Sequence, residues 1–211
     1  MIAMRKPQIP KILFILCYLT GSEIQAHTPS EGDVWATAAP FFYRTNSKHA
    51  VSKKSPNLGM AIVAEGDVDY NGGVEIAMIF VDKTYVSNAG DDTLAERIKR
   101  MHITTGYRHW FNPVVSAGLS FYSSYSMGDS QVILDDRSDG SDLETSSRDI
   151  TEYGLDFSLQ WEFINRGNIA AIADARYSLS TSRKIHESAD HYGVLLGIKY
   201  LIPKQRRDRG A

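Results

Sequence analysis

Near the carboxyl end of the chain, His186, Glu187, Ser188, Asp190 and His191 stand within six residues of one another. A serine activated by an imidazole that an acid orients is the machinery of acyl transfer, so this run holds the residue types of a hydrolase. Such chemistry needs the three groups in contact, and a short run dense in polar residues reads equally as a solvated loop. His102 is followed two residues later by Thr104, where a His-and-Ser pattern would need serine, and its strand position points it inward. A second candidate is the acidic stretch Gly128 to Thr151, with Asp129, Asp135, Asp136, Asp139, Asp142, Glu144 and Asp149. Asp139 followed by Gly140 matches part of a calcium loop, but Arg137 and Ser146 stand where further ligands are needed. A hydrated acidic loop is the expectation. No catalytic residue, no cofactor site and no metal site is assigned on these grounds.

A third group is larger and more ordered. Glu65, Asp67, Glu75, Arg100, Arg108, Glu152, Asp156, Glu162, Asp174, Arg176 and Lys199 all fall on the polar side of segments that alternate in polarity. The clearest segment is Glu152 to Phe163. Its odd positions are Tyr153, Leu155, Phe157, Leu159, Trp161 and Phe163; its even positions are Glu152, Gly154, Asp156, Ser158, Gln160 and Glu162. Successive side chains of a strand point to opposite faces, so one face is apolar and the other polar. Val115 to Met127 repeats the pattern, with Gly118 and several serines on its polar side. Small residues on one strand beside acids on the next suit a crowded polar lumen. This is the two-residue period of a transmembrane β-barrel, apolar toward lipid and polar inside.

Eight such segments can be traced: Val34 to Arg44, Leu58 to Val68, Val74 to Tyr85, Arg97 to Trp110, Val115 to Met127, Glu152 to Phe163, Ile169 to Ser180 and His191 to Ile202. The first contains Pro40, which is tolerated at an edge, an end or a bulge. Three connections are short: Tyr70-Asn71-Gly72-Gly73, Phe111-Asn112-Pro113 and Asn165 to Asn168. Asn71-Gly72 is a strong hairpin signal, because both central residues of such a turn take positive φ. Four are longer: Thr45 to Asn57, Val86 to Glu96, Gly128 to Thr151 and Thr181 to Asp190. Short turns on one side and long loops on the other are what a spanning barrel of even strand number requires. Tyr70, Trp110, Phe111, Trp161, Phe163 and Tyr200 gather at the short-turn end as an aromatic girdle. Tyr85, Tyr125, Tyr153 and Tyr177 lie toward the loops.

The amino terminus fits export. Arg5, Lys6 and Lys11 precede an apolar run of eight residues, Ile12 to Leu19, and Ile24-Gln25-Ala26 offers a cleavage site. The run is shorter than the roughly 20 residues of a spanning helix. Residues 1–26 are therefore expected to be a signal peptide, residues 27–203 an outer-membrane barrel domain and residues 204–211 a basic periplasmic tail. Cys17, the one cysteine, leaves with the signal, so no disulfide framework or thiolate site is expected. Cleavage removes Arg5, Lys6, Lys11 and Glu23 from totals of 23 basic and 25 acidic residues, leaving 20 and 24. Without a basic field, nucleic acid is an unfavoured partner.

At this point the chain resembles the small outer-membrane barrels of the OmpA, OmpX, OmpW and opacity-protein kind. The resemblance lies in the signal peptide, eight strands, three tight turns, four longer loops and a final strand YGVLLGIKYLI. It implies an all-β fold, an eight-stranded antiparallel up-and-down barrel. Its expected setting is the bacterial outer membrane, with membrane lipid and the barrel-assembly machinery as partners and an extracellular ligand bound by the loops. Such barrels usually end on an aromatic residue; here Pro203 to Ala211 follows Tyr200, which leaves the assembly signal internal or altered. The expected function is structural or surface-binding. The alternatives are a narrow pore for ions or small apolar solutes, a lipid-modifying enzyme, or a soluble lipocalin-like binder. The last lacks the opening Gly-x-Trp, since Trp35 follows Gly32 by three, and the chain's fifth segment lacks a charged outer face.

Overall fold

Alternation governs the whole described structure. The computed structural model describes residues 29–46, 57–139, 142–182 and 187–203. The expected signal peptide, the Thr45–Asn57 segment apart from its ends, His186 and the expected basic tail lie outside them. The strands are β1 (Val34–Thr45), β2 (Asn57–Asp69), β3 (Gly72–Ala89), β4 (Asp92–Trp110), β5 (Val115–Ser126), β6 (Gln131–Asp136), β7 (Thr151–Arg166), β8 (Ile169–Ser180), β9 (Glu187–Ser188) and β10 (His191–Ile202). Eight of them close on one another antiparallel in the order β1-β2-β3-β4-β5-β7-β8-β10, with β10 returning to β1. Closure leaves the wall no open edge, which lipid demands, because nothing there can satisfy an unpaired amide.

The stagger follows from the ladders. Val34 faces Gly66, then Val74, Tyr107, Leu119, Phe157, Tyr177, Tyr192 and finally Arg44. One circuit thus climbs from residue 34 to residue 44 of β1. Strands in such barrels tilt by roughly 35–45°, and eight of them leave a bore that side chains fill. Pro40 sits within β1, facing out, and the β1–β10 offset is the same on either side of it.

Exposed residues are apolar over most of the wall. Leu58, Met60 and Ile62 on β2, Val74, Ile76 and Met78 on β3, and Val194, Leu196 and Ile198 on β10 face outward. Thirteen acidic or basic side chains of the wall are buried, among them Glu75, Arg108, Glu152, Asp174, Arg176 and Lys199. This inversion is the surface of a barrel that sits in lipid.

Besides β6 and β9, which lie within expected loops, three features differ from the sequence expectation. The Val86–Glu96 segment is not a long loop: β3 and β4 continue as a ladder to Ala89 and Asp92, closed by Gly90 with φ 63°. The first hairpin is shifted, with Asp69 facing Gly72, so Tyr70 and Asn71 form the turn and Gly72 is already strand. In β7 a bulge between Glu162 and Ile164 breaks the alternation: Ile164 faces out and Phe163 is half-buried. The short turns keep their expected chemistry elsewhere. Gly167 takes φ 64° between Arg166 and Ile169, and Asn112 Oδ1 accepts from the amides of Val114 and Val115, each at 2.8 Å.

Candidate functional site

All eleven charges expected in the lumen are buried there. They form two groups, and β3 shows why. Its inward side reads Glu75, Ala77, Ile79, Val81, Lys83 and Tyr85 from the short-turn end upward. On the same wall, Ala39, Phe41 and Tyr43 of β1, Ala61 and Val63 of β2 and Leu195 of β10 pack with Ala77, Ile79 and Val81. An apolar belt thus lines one side of the lumen between a lower and an upper polar group. The sequence carried a signal for it, since β2 and β3 are rich in apolar residues at both parities.

The lower group is a mesh. Arg108 donates to Glu75 through Nε (2.8 Å) and through Nη2, and to Ser116 and Ser158 hydroxyls (both 3.0 Å) and Asp174 (3.2 Å). Arg176 donates to the other oxygen of Glu75 (2.6 Å), to Asp174 (3.0 Å) and to Asp156 (3.0 Å). The planar five-donor fork of arginine makes this sharing possible. Gly118 supports it: a Cβ there would lie 2.5 Å from the Ser158 hydroxyl that Arg108 holds. Below the mesh, Lys199 Nζ bonds Glu65 at 2.5 Å and stands 3.9 Å from Glu162. It lies 5.1 Å from the Trp35 ring centroid and 4.8 Å from that of Trp110. Two indoles and two acids around one ammonium floor the lumen. Trp110 is therefore an interior residue, 3% exposed, and does not belong to the girdle; as the even partner of Arg108 on β4 it points inward. Tyr70, Phe111, Trp161 and Tyr200 are exposed at that end. Tyr85, expected among the upper aromatics, is likewise buried inside, whereas Tyr125, Tyr153 and Tyr177 face out.

The upper group is built around one carboxylate. Glu152 accepts from Lys83 Nζ (2.5 Å), from Tyr122 OH (2.7 Å) and from Tyr85 OH. Gly154 makes room for this, because a Cβ there would meet the Tyr122 ring at 2.5–2.6 Å. His102 stacks obliquely on Tyr122 (5.1 Å) and meets His191 edge-on (5.0 Å). Lys83, Tyr85, Tyr122 and His191 were not among the expected lumen residues; His102 faces inward as its strand position implied.

The Gly128–Thr151 segment closes the mouth above this group. A 3-10 turn, Ser146–Arg148, with Thr145 as its N-cap, folds inward, and Thr145, Ser146 and Ser147 are buried. Arg100 rises from β4 and donates to the carbonyls of Ser146 (3.0 Å), Ser147 (3.4 Å) and Asp149 (2.7 Å). Glu96 accepts from the hydroxyls of Thr145 and Ser147 (2.5 Å) and from Arg148 (3.0 Å). Glu187 accepts from the Ser146 amide (2.7 Å) and hydroxyl (2.6 Å). Burial works against the ionised form of Glu96, but the bonds from Ser147, Thr145 and Arg148 outweigh it and hold this carboxyl below its ordinary range.

The candidate chemistry of the last loop is differently arranged. Asp190 accepts from the Ser180 amide (3.0 Å) and Tyr177 OH (3.2 Å), Glu187 holds the mouth segment, and His191 lies among Phe41, Tyr43 and His102. In the acidic loop, Arg137 forks both oxygens of Asp135 (2.6 and 2.7 Å). Among the described residues no three metal-ligating side chains converge.

No protein-family model and no curated protein sequence matches the chain. Solved structures do. OprG from Pseudomonas aeruginosa is 10% identical with a TM-score of 0.55, over 86% of this chain and 100% of that one. Ail of Yersinia pestis, in complex with the heparin analogue sucrose octasulfate, is 15% identical with a TM-score of 0.47, over 82% and 100%. Neisserial surface protein A is 14% identical with a TM-score of 0.47, over 81% and 99%. The fold is that of a small eight-stranded outer-membrane β-barrel. In such a barrel the Lys199 floor lies at the periplasmic end and the Arg100-held segment at the extracellular mouth.

Proposed function

We propose that this chain is an integral outer-membrane protein with a structural or surface-interaction role, exerted through the segments that the barrel carries outside the cell, and that it is not an enzyme. The observation that supports this reading is the filled interior. Arg108, Arg176, Lys199 and Lys83 spend their donors on carboxylates within the wall, the Trp35–Lys199–Trp110 floor lies below them, and residues 145–149 fold into the mouth. A narrow bore packed with paired charge is a scaffold, and binding residues then fall on what the scaffold presents. The sulfated sugar bound in the Ail complex is a poor candidate for this chain's acidic third extracellular segment, which favours cationic partners.

The test uses the full chain in two settings. Cells displaying it are assayed for adherence to protein-coated surfaces, with and without residues 131–149, and the purified protein is assayed in planar bilayers. Adherence lost with that segment, and no conductance, is the expected result. Steady single-channel conductance without adherence would favour the pore. A change in lipid A mass that depends on His191 would favour the enzyme.

A further inference from the structure

Four residues beyond the end of β5 the chain returns to the wall as β6, alongside the upper part of β4. All six of its residues are exposed, which means that both its faces are open. One edge pairs with Thr93 to Arg97; among the described residues the other edge pairs with nothing. Val132, Ile133 and Leu134 follow one another there, Val132 with 53% of its surface exposed. The register slips between Ala95 and Glu96, which makes Ile133 the extra residue of a bulge. An unpaired edge with exposed β-branched and aliphatic side chains is a template for another strand.

The surroundings choose the occupant. Asp91, Asp129, Asp135, Asp136, Asp139 and Asp142 are exposed around β6 and the neighbouring hairpin tip. The cations nearby are fewer: Arg137 is already forked on Asp135, Arg148 is bonded to Glu96, and Arg97 and Lys99 lie at the lower end of the β6 ladder. Anionic lipid headgroups and sulfated sugars would meet like charge here. A second copy paired through β6 would bring two acidic rims together. We infer that β6 is a docking edge for an extended cationic segment of an extracellular polypeptide. The segment adds as a strand, sets its Lys or Arg side chains against the aspartates and packs its apolar side chains on Val132 and Leu134. This deepens the surface-interaction reading and rests on it.

The experiment uses the full chain in phosphatidylcholine nanodiscs, with the alternating peptide KVKVKVK as probe, EVEVEVE and a heparin fragment as comparators, and amide hydrogen exchange as the positional readout. The lysine peptide is expected to bind and to slow exchange at residues 131–136. Asp136→Lys with Asp139→Lys is expected to weaken it about tenfold or more, and Leu134→Pro to abolish strand addition. Retained heat-modifiable mobility checks that each variant is folded. Equal binding of the glutamate peptide or the heparin fragment would overturn the inference. So would protection elsewhere than β6, or β6 protection that rises with protein concentration alone. If displaying cells adhere equally well with and without the charge reversal, this inference falls and the surface-interaction reading stands; if they adhere to nothing, both fall.

Discussion

The two polar groups inside the barrel solve one problem in different ways. The lower group shares its charges: Glu75 is held by two arginines, Asp174 by the same two, and Arg176 by three acids. The upper group concentrates them: Glu152 is the one carboxylate that Lys83, Tyr85 and Tyr122 all address. A buried charge that loses its partner is costly, whereas a pair replaced as a unit often is not. The mesh therefore tolerates single losses and the hub does not. The hub lies beneath the mouth segment, so the upper lumen rests on one carboxylate.

The comparison can be broken most directly at the hub. Glu152→Gln leaves Lys83 uncompensated and should cost about 3–5 kcal/mol in urea unfolding of the reconstituted protein. If Glu152→Gln with Lys83→Met restores most of that loss, the cost was the orphaned charge; additivity of the two would refute it. Asp156→Asn in the mesh should cost less, about 1–3 kcal/mol, because Arg176 keeps Glu75 and Asp174. An Asp156 variant as damaging as the Glu152 variant would erase the distinction between the groups.

Arg100→Met should free residues 145–149 while leaving the wall intact. Hydrogen exchange at Ser146 and Ser147 is expected to rise by about tenfold or more, with the unfolding midpoint nearly unchanged. Loss of the midpoint along with the segment would mean that the mouth and the hub open together.

A smaller effect concerns acid. The carboxyl of Glu96 is held below its ordinary range, so its stabilisation of the mouth segment is complete above that range and fades as pH falls through the depressed value. Exchange at residues 145–149 should therefore accelerate only on the acid side of the usual carboxylate range. Glu96→Gln should be more open at neutral pH and flat across that window. The smallest effect is expected at Asp135, whose pairing with Arg137 is at the surface: Asp135→Asn should leave unfolding unmoved.

Much of this was legible in the chain. Parity alone assigned the inward side of Glu75, Arg108, Asp156, Asp174, Arg176 and Lys199, because a strand's period of two needs no tertiary information. Parity also held the correct answer for Trp110 and Tyr85, which share it with Arg108 and Lys83. Aromatic character near a strand end suggested an interface position instead. The Val86–Glu96 segment read as a loop because its mixture of polar and apolar residues was judged for lipid, whereas β3 and β4 run on into water, where no lipid-facing side is needed. The inward fold of residues 145–149 carries no periodicity at all; it depends on Glu96 and Arg100 of β4 and Glu187 of β9 arriving together from two distant places in the chain.

Local chemistry along the chain sets which side chains of each strand face lipid and which face inward, since alternation acts over a few residues. The tertiary structure decided which inward residues meet. Closing eight tilted strands with a climb of ten residues per circuit puts Glu75 beside Arg176, 101 positions away, and Lys83 beside Glu152, 69 away. It also decided that an apolar belt separates the two charge groups and that one six-residue strand stands outside the closed wall. Those outcomes are set by stagger around the whole barrel, a quantity that no single strand contains.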